Sequence, residues 1–197
     1  MSNNILFIFE GPKTEKNITD NLTKYFVNEN TIITCAYCTT IYKMYTDIIE
    51  DEFLDTFSLV KNIDANKERL KTFKRSDFAE IYMFFDYDGH ASNANDQKLS
   101  NLLEFFNEET EMGKLYISYP MVEALKHIEN FDTFENLKVS CKDFKKYKKT
   151  VSKNCIESFK HYHLYQIDTW KILIQAHLSK MNNTKMNYKL VQKMDFA

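Results

Sequence analysis

Two short apolar runs, Ile-Leu-Phe-Ile-Phe at residues 5–9 and Ile-Tyr-Met-Phe-Phe at residues 81–85, constrain this chain more than any other feature. Each is strand-length and each is closed by an acid, Glu10 and Asp86. Runs without polar alternation are typical of strands inside a mainly parallel sheet, covered on both faces. Neither approaches the ~20 apolar residues that span a bilayer. The first has no basic leader and stops at Glu10, so it reads as a strand rather than a signal peptide. Its expected compartment is the cytoplasm, where four cysteines would remain thiols. With 3 Gly and 2 Pro in 197 residues, the chain lacks the turn formers of a β-sandwich. That length suits one substantial core with a helical appendage.

Between the runs, apolar spacing alternates in kind. Ile18, Leu22, Tyr25 and Phe26 predict a helix after Pro12 with Thr14 as its cap. Residues 31–40 are β-branched and aromatic, hence a second strand. Ile41, Tyr45, Ile48 and Ile49 return to helical spacing, which continues to Lys74. Leu99, Leu102, Leu103 and Phe106 predict another helix, residues 114–118 a strand, and Pro120 a helix from about Met121. Strand and helix thus alternate, which predicts an α/β fold with a mainly parallel sheet flanked by helices over residues 1–135. Residues 136–197 read as a basic helical C-terminal extension, with one long amphipathic helix running from Ile156 through Phe159, His163, Ile167, Trp170, Ile174 and His177.

The few turn formers stand beside carboxylates. Gly11 and Pro12 follow Glu10, Gly89 follows Asp88, and Pro120 precedes Glu123 by three residues; Gly113 alone reads as an ordinary turn. Ligands of parallel α/β sheets gather at the carboxyl ends of the strands, where Glu10, Asp86 and Asp88 are predicted to converge. Carboxylates brought together repel unless a hard divalent cation neutralises them, which points to Mg²⁺ or Mn²⁺. Asp86 and Asp88 can share one ion only if the chain leaves the strand after Asp86, a bend that Gly89 permits. Such an ion would activate water and polarise a phosphate, as phosphodiester cleavage requires. The helix opening after Pro12, with Lys13 and Lys16, would help to hold the phosphate. Glu123 and His127 are expected to share a helix face, and His90 is a candidate second-layer partner of the metal.

Lys and Arg number 26 against 28 Asp and Glu, a formal charge of −2, so any attraction for nucleic acid has to be local. Only Arg69 and Arg75 are arginines. The basic cluster is Lys138, Lys142, Lys145, Lys146, Lys148, Lys149 and Lys153, a candidate surface for tracking a phosphate backbone. Cys35 and Cys38 form a Cys-x-x-Cys pair with no second clamp at zinc-ribbon spacing, so they read as ordinary half-buried thiols. His163 and His177 read as core-edge residues.

Phe-Glu-Gly-Pro-Lys-Thr-Glu-Lys-Asn-Ile at residues 9–18, Phe-Phe-Asp-Tyr-Asp-Gly-His at 84–90 and Ser-Tyr-Pro-Met-Val-Glu at 118–123 together resemble the TOPRIM domain. More narrowly they are similar to RloB-like and OLD-family nucleases of bacterial anti-phage defence. The resemblance implies a TOPRIM-like α/β fold and a Mg²⁺-dependent nuclease acting on DNA or RNA. It makes Glu10 the first-motif glutamate and Asp86 and Asp88 the metal-binding pair. Glu123 matches the glutamate of a Ser-x-Pro-x-x-Glu motif, which could hold a second metal or position the first. OLD-type chains often carry an Asp four residues after the first Glu; here Thr14 stands there and Glu15 follows, so a further ligand role would pass to Glu15. The sequence has no Gly-x-x-x-x-Gly-Lys-Ser/Thr phosphate loop, so an ATPase, if used, would be a separate subunit. Self-association into a homo-oligomer is left open. Two rivals stand beside this reading. An aspartate-nucleophile phosphatase would form a phospho-aspartate on Asp86, and a non-catalytic subunit would use the acids as a sensor or docking surface.

Overall fold

The computed structural model describes residues 3–11, 13–38, 40–51, 54–87, 96–139 and 144–194. They divide into two compact units, residues 1–122 and 123–197.

The first unit is an α/β layer structure. Strands β1 (Asn3–Phe9), β2 (Thr31–Tyr37), β3 (Glu80–Asp86), β4 (Asn107–Glu108) and β5 (Gly113–Ser118) form one sheet in the order β2-β1-β3-β5-β4. All pairings are parallel except β4 with β5. Both apolar runs therefore lie inside the sheet, as their composition predicts. The helices are α1 (Thr14–Phe26), α2 (Ile41–Glu50), α3 (Thr56–Asn62), α4 (Asp64–Leu70) and α5 (Asp96–Phe105).

The runs are not equally covered on their two faces. Leu6, Ile8, Ala36, Ile81, Met83, Phe85 and Leu115 point to one face and are buried there against Ile41, Met44 and Ile48 of α2, Phe57 and Val60 of α3, Leu70 of α4 and Leu102 of α5. The opposite face carries an aromatic layer. Phe7 meets Tyr82 and Phe84 edge-on at 5.8 and 5.2 Å between centroids, and Phe84 stacks on Phe9 and on Tyr116 at 5.6 and 5.5 Å. Tyr82 and Phe84 are half-buried and Tyr116 is exposed, so β3 alternates in burial although its sequence does not alternate in polarity. Rings in offset or edge-to-face contact cover much of one another's surface, which lets an apolar face remain partly open.

The sheet's β2 edge is closed by side chains. Asn66, fully buried on α4, accepts from the Tyr37 N–H at 2.9 Å and donates to the Tyr37 carbonyl at 2.6 Å, as a neighbouring strand would. Arg69 donates to the Cys35 carbonyl and lies over the Tyr37 ring. Exposed edges invite pairing with other chains, and this closure removes part of the hazard. Arg75 donates to the carbonyls of Phe78, Thr110 and Glu111. Both arginines thus hold backbone.

Several expected boundaries shift. β2 ends at Tyr37, not at residue 40. α1 starts at Thr14, with Lys13 in the capping position and no side-chain cap, so Thr14 is not the cap. Its stripe is only half-covered: Thr19 and Asn21 are its buried residues and Phe26 is exposed. In place of a helix from Met121 there is a 3₁₀ turn, Val122–Lys126.

The second unit is helical: α6 (Phe131–Phe134), α7 (Phe144–Asn154) and α8 (Ile167–Met194). The long terminal helix begins eleven residues later than its apolar spacing suggested, because residues 157–159 and 162–164 form separate 3₁₀ turns. The Tyr165 hydroxyl donates to the Phe159 carbonyl at 2.6 Å and holds that path, while His163 is exposed rather than at a core edge. Trp170 and Leu173 bury the inner face of α8. His177 bonds the Leu125 carbonyl at 2.9 Å, and Lys180 donates to the carbonyls of Phe134 and Leu137. Among the described residues no helix is long and apolar enough to cross a membrane.

Gly113 is no ordinary turn residue. At φ +106° it opens β5, and a Cβ there would lie 3.0 Å from Ile81 Cγ2 and 3.1 Å from Met83 Cε. Gly113→Ala combines a disfavoured backbone with overpacking and is expected to cost about 2 to 3 kcal/mol, read as a lower urea midpoint. Burial, reinforced by the Lys180 charge, holds His177 below its ordinary 6.5 against the opposing Leu125 bond. The unfolded chain therefore binds the proton more readily, so this contribution is intact above pH 6.5 and is lost as pH falls below it. The unfolding midpoint should decline less steeply below that pH in His177→Gln than in the parent protein.

Candidate functional site

The parallel register pairs Phe9 with Phe84, so β1 and β3 finish side by side and their closing acids meet at one sheet end. Glu10 Oε2 lies 3.4 Å from the Asp86 N–H, a long hydrogen bond that brings residues 76 positions apart into one corner. β3 ends at Asp86, and the Tyr87 N–H still donates to the Ser118 carbonyl at 2.9 Å, the last bond of the β3–β5 ladder. The chain then returns through Tyr119 and Pro120, and the Val122 N–H donates to Asp86 Oδ1 at 2.8 Å. Asp86 thus meets Glu10 at its N–H and the first residue of the Val122–Lys126 turn at its carboxylate.

Glu15 belongs to this corner as well. A Cβ placed on Gly11 would stand 3.6 Å from Glu15 Oε2, so the carboxylate in the first turn of α1 folds back over the residue that follows Glu10. Glu10, Glu15 and Asp86 are all half-buried. Asp88, Gly89, His90 and Pro12 lie outside the described residues. Among the described residues no set of three or more His, Cys, Asp or Glu side chains is arranged to hold a metal ion. The acid-only donors Glu10 and Asp86 are of the type Mg²⁺ or Mn²⁺ takes, and the remaining predicted ligand, Asp88, is not among those described.

The basic residues near this corner differ in what they can offer. Lys13 is exposed at the start of α1. Lys16 pairs with Asp20 at 2.5 Å across one helical turn, and that bond raises its pKa. Its charge is therefore largely answered within α1.

Glu123 falls in the second unit, where it joins a buried polar network. Its Oε1 lies 3.3 Å from Lys148 Nζ, while its Oε2 is buried with no hydrogen-bond partner among the described residues. Tyr147 is buried beside it, and burial together with the Glu123 charge pushes the phenol pKa well up. His127 Nδ1 is 3.1 Å from the Tyr147 hydroxyl, and His127 Nε2 is 3.3 Å from Glu129, which also accepts from Asn154. Glu123 and His127 are not neighbours on a helix face; the 3₁₀ turn ends at Lys126, and Tyr147 is what both of them approach. Nothing in the spacing of the sequence announces Tyr147, Glu129 and Asn154 as members of this network.

The lysine cluster separates on the same evidence of contacts. Lys148 turns toward Glu123, whereas Lys146, Lys149 and Lys153 are exposed at helical steps of three and four along α7. Lys142, and the side chain of Lys145, are outside what is described. By unit, the charge is far from balanced: residues 1–122 hold 12 Lys and Arg against 20 Asp and Glu, a formal −8, and residues 123–197 hold 14 against 8, a formal +6. A near-neutral total conceals one acidic and one basic unit. Cys35, Cys38 and Cys155 are free thiols; Cys35 faces α1 in a cleft with Thr19 and Thr23, and burial raises its pKa.

No family model matches the chain, and no curated protein and no solved structure matches it.

Because Glu123 is buried and Lys148 is its counter-charge, the lysines of α7 should differ in their structural weight. Lys148→Ala is expected to lower unfolding stability by up to about 1 kcal/mol, limited by the exposure of the ammonium group. Lys146→Ala, Lys149→Ala and Lys153→Ala should leave the urea midpoint unchanged.

Proposed function

We propose that the chain is a TOPRIM-type, Mg²⁺- or Mn²⁺-dependent nuclease that cleaves phosphodiester bonds of DNA or RNA. The observation that carries this reading is the corner at which Glu10 Oε2 approaches the Asp86 N–H while the Val122 N–H orients the Asp86 carboxylate. Two acids at the carboxyl ends of adjacent parallel strands occupy the position where α/β sheets bind ligands. Their sequence setting, with Asp88 two residues beyond Asp86, matches the motifs that suggested the family.

In this proposal Asp86 and Asp88 hold the ion, and Glu10 either completes its coordination or takes a proton from the attacking water. The bound ion would supply a lowered water pKa and charge stabilisation at a phosphate oxygen. Glu15 adds a carboxylate beside Gly11 and a second candidate ligand. By the resemblance Glu123 would hold a second metal or position the first, and among the described residues its buried Oε2 has no hydrogen-bond partner. The exposed lysines of α7 offer a row of point charges suited to a phosphate backbone, while the arginines, spent on carbonyls, leave little bidentate recognition of phosphate. By the same resemblance the setting is anti-phage defence, with any ATPase supplied as a separate subunit.

The test is incubation of the purified protein with labelled DNA, total RNA and tRNA in Mn²⁺ or in EDTA. Cleavage should require the metal and should fall by roughly 10²-fold or more in Asp86→Ala and in Glu10→Gln. Cleavage that survives in both variants, or proceeds in EDTA, overturns the assignment. A stable phospho-aspartate on Asp86 would favour the phosphatase instead.

A further inference from the structure

Two tyrosines at the acid corner belong neither to the hydrophobic core nor to the proposed metal site. β3 and β5 pair as far as Asp86 with Ser118, and the next residue of each strand is aromatic, Tyr87 and Tyr119. Their rings stand 5.0 Å apart between centroids, tilted by 42°. Tyr87 is half-buried, with its hydroxyl 3.4 Å from Asp96 Oδ1, whereas Tyr119 is 55% exposed. A single exposed ring is ordinary on a protein surface. Here the outer ring rests on an inner one that directly follows Asp86, and the same loop supplies the Val122 N–H that holds the Asp86 carboxylate at 2.8 Å.

We propose that Tyr119, backed by Tyr87, stacks on an unpaired nucleobase next to the phosphate held at the acid corner, so that the substrate is single-stranded nucleic acid or an unpaired segment of a folded one. The inference rests on the nuclease reading of that corner and names its substrate class. Charge gives this end of the sheet little hold on phosphates. Residues 1–122 carry a formal −8, Arg69 and Arg75 are engaged with backbone carbonyls, and Lys16 is paired with Asp20. A strand brought to this set of carboxylates needs a contact that does not depend on charge. Stacking of a base on a ring is such a contact, and it accepts any sequence because every base has an aromatic face. Inside a duplex both faces of a base are covered by its neighbours, so the base that meets Tyr119 is one that has left the stack.

The tyrosine pair is also held in advance of its ligand. The bond from the Tyr87 N–H to the Ser118 carbonyl, 2.9 Å, fixes the two backbones that carry the rings. A ring already placed loses less freedom when the base arrives, which favours binding.

Fluorescence anisotropy of the full chain with short labelled DNA and RNA strands and with the matching duplexes, in EDTA so that no metal-dependent cleavage intervenes, reads this contact. Tyr119→Ala is expected to raise the dissociation constant for single strands by about tenfold and to leave that for duplexes unchanged. Tyr119→Phe keeps the ring and should stay within about twofold of the parent. A 2-aminopurine in the strand should lose fluorescence on binding the parent and the phenylalanine variant, and keep more of it with Tyr119→Ala. Because Tyr119 is exposed, circular dichroism should show the same helix content in both variants. Ring-dependent binding of either strand supports the proposal, and the tighter of the two names the sugar it takes. Equal single-strand affinity in the parent and Tyr119→Ala, equal losses in the alanine and phenylalanine variants, or a parent that binds no single strand overturns it. Ring-dependent binding without metal-dependent cleavage removes the nuclease reading alone, whereas metal-dependent cleavage with binding unchanged in Tyr119→Ala removes the stacking proposal alone.

Discussion

The register between β1 and β3 is the constraint on which the first unit depends. Pairing Ile5 with Glu80 through Phe9 with Phe84 sets Leu6 and Ile8 beside Ile81 and Met83 on the core face. The same pairing carries Glu10 to the Asp86 main chain. A slip of β1 by one residue would put Phe7 and Phe9 in the places of Leu6 and Ile8 on the core face and separate the acids, so the fit of the core and the polar corner are specified by a single choice. Burial of large apolar side chains is worth about 1.5 to 3 kcal/mol each. Holding Glu10 near Asp86 therefore needs no favourable interaction between the two acids, whose proximity the core enforces.

Polar groups are distributed by a similar economy. Asn66 and Arg69 answer backbone groups at the β2 edge, and Arg75 answers three carbonyls near the β4–β5 connection. Lys180 does the same at the end of α6 despite the desolvation that lowers its pKa. Long cationic side chains thus replace regular hydrogen-bond ladders where the chain is irregular. Basic residues left exposed, such as Lys146, Lys149 and Lys153, are those with no such task in the fold. The split into an acidic and a basic unit adds a long-range field to each, which the total charge conceals.

Much of the first unit was legible because its signals are local. The apolar runs, the helical spacing of Ile41 to Ile49 and the strand before Ser118 each lie within one window. What failed was equally physical. Tyr82 and Phe84 look like core residues of a doubly covered strand, yet they are satisfied by neighbouring rings. Steps of three and four from Ile156 onward fit a continuous helix and equally fit successive 3₁₀ turns. Only the burial of Tyr162 and Tyr165 and the bond from Tyr165 to Phe159 decide between them. Glu123 and His127 suffered the same ambiguity. Their four-residue spacing suggested a helix face, but their common neighbour is Tyr147, twenty residues beyond His127.

The sequence by itself determined that a parallel α/β sheet would form, which runs would be its inner strands, and which acids would close them. These properties follow from side-chain polarity along a few consecutive residues. Only the tertiary structure decided that Val122 would orient Asp86, that Lys148 would be drawn to Glu123 while its neighbours faced water, and that Trp170 and Leu173 of α8 would be buried while Ile174, Leu178 and Met181 stayed exposed. Each of those outcomes is a competition between partners far apart in the chain, and its winner is set by packing distances that no local pattern encodes.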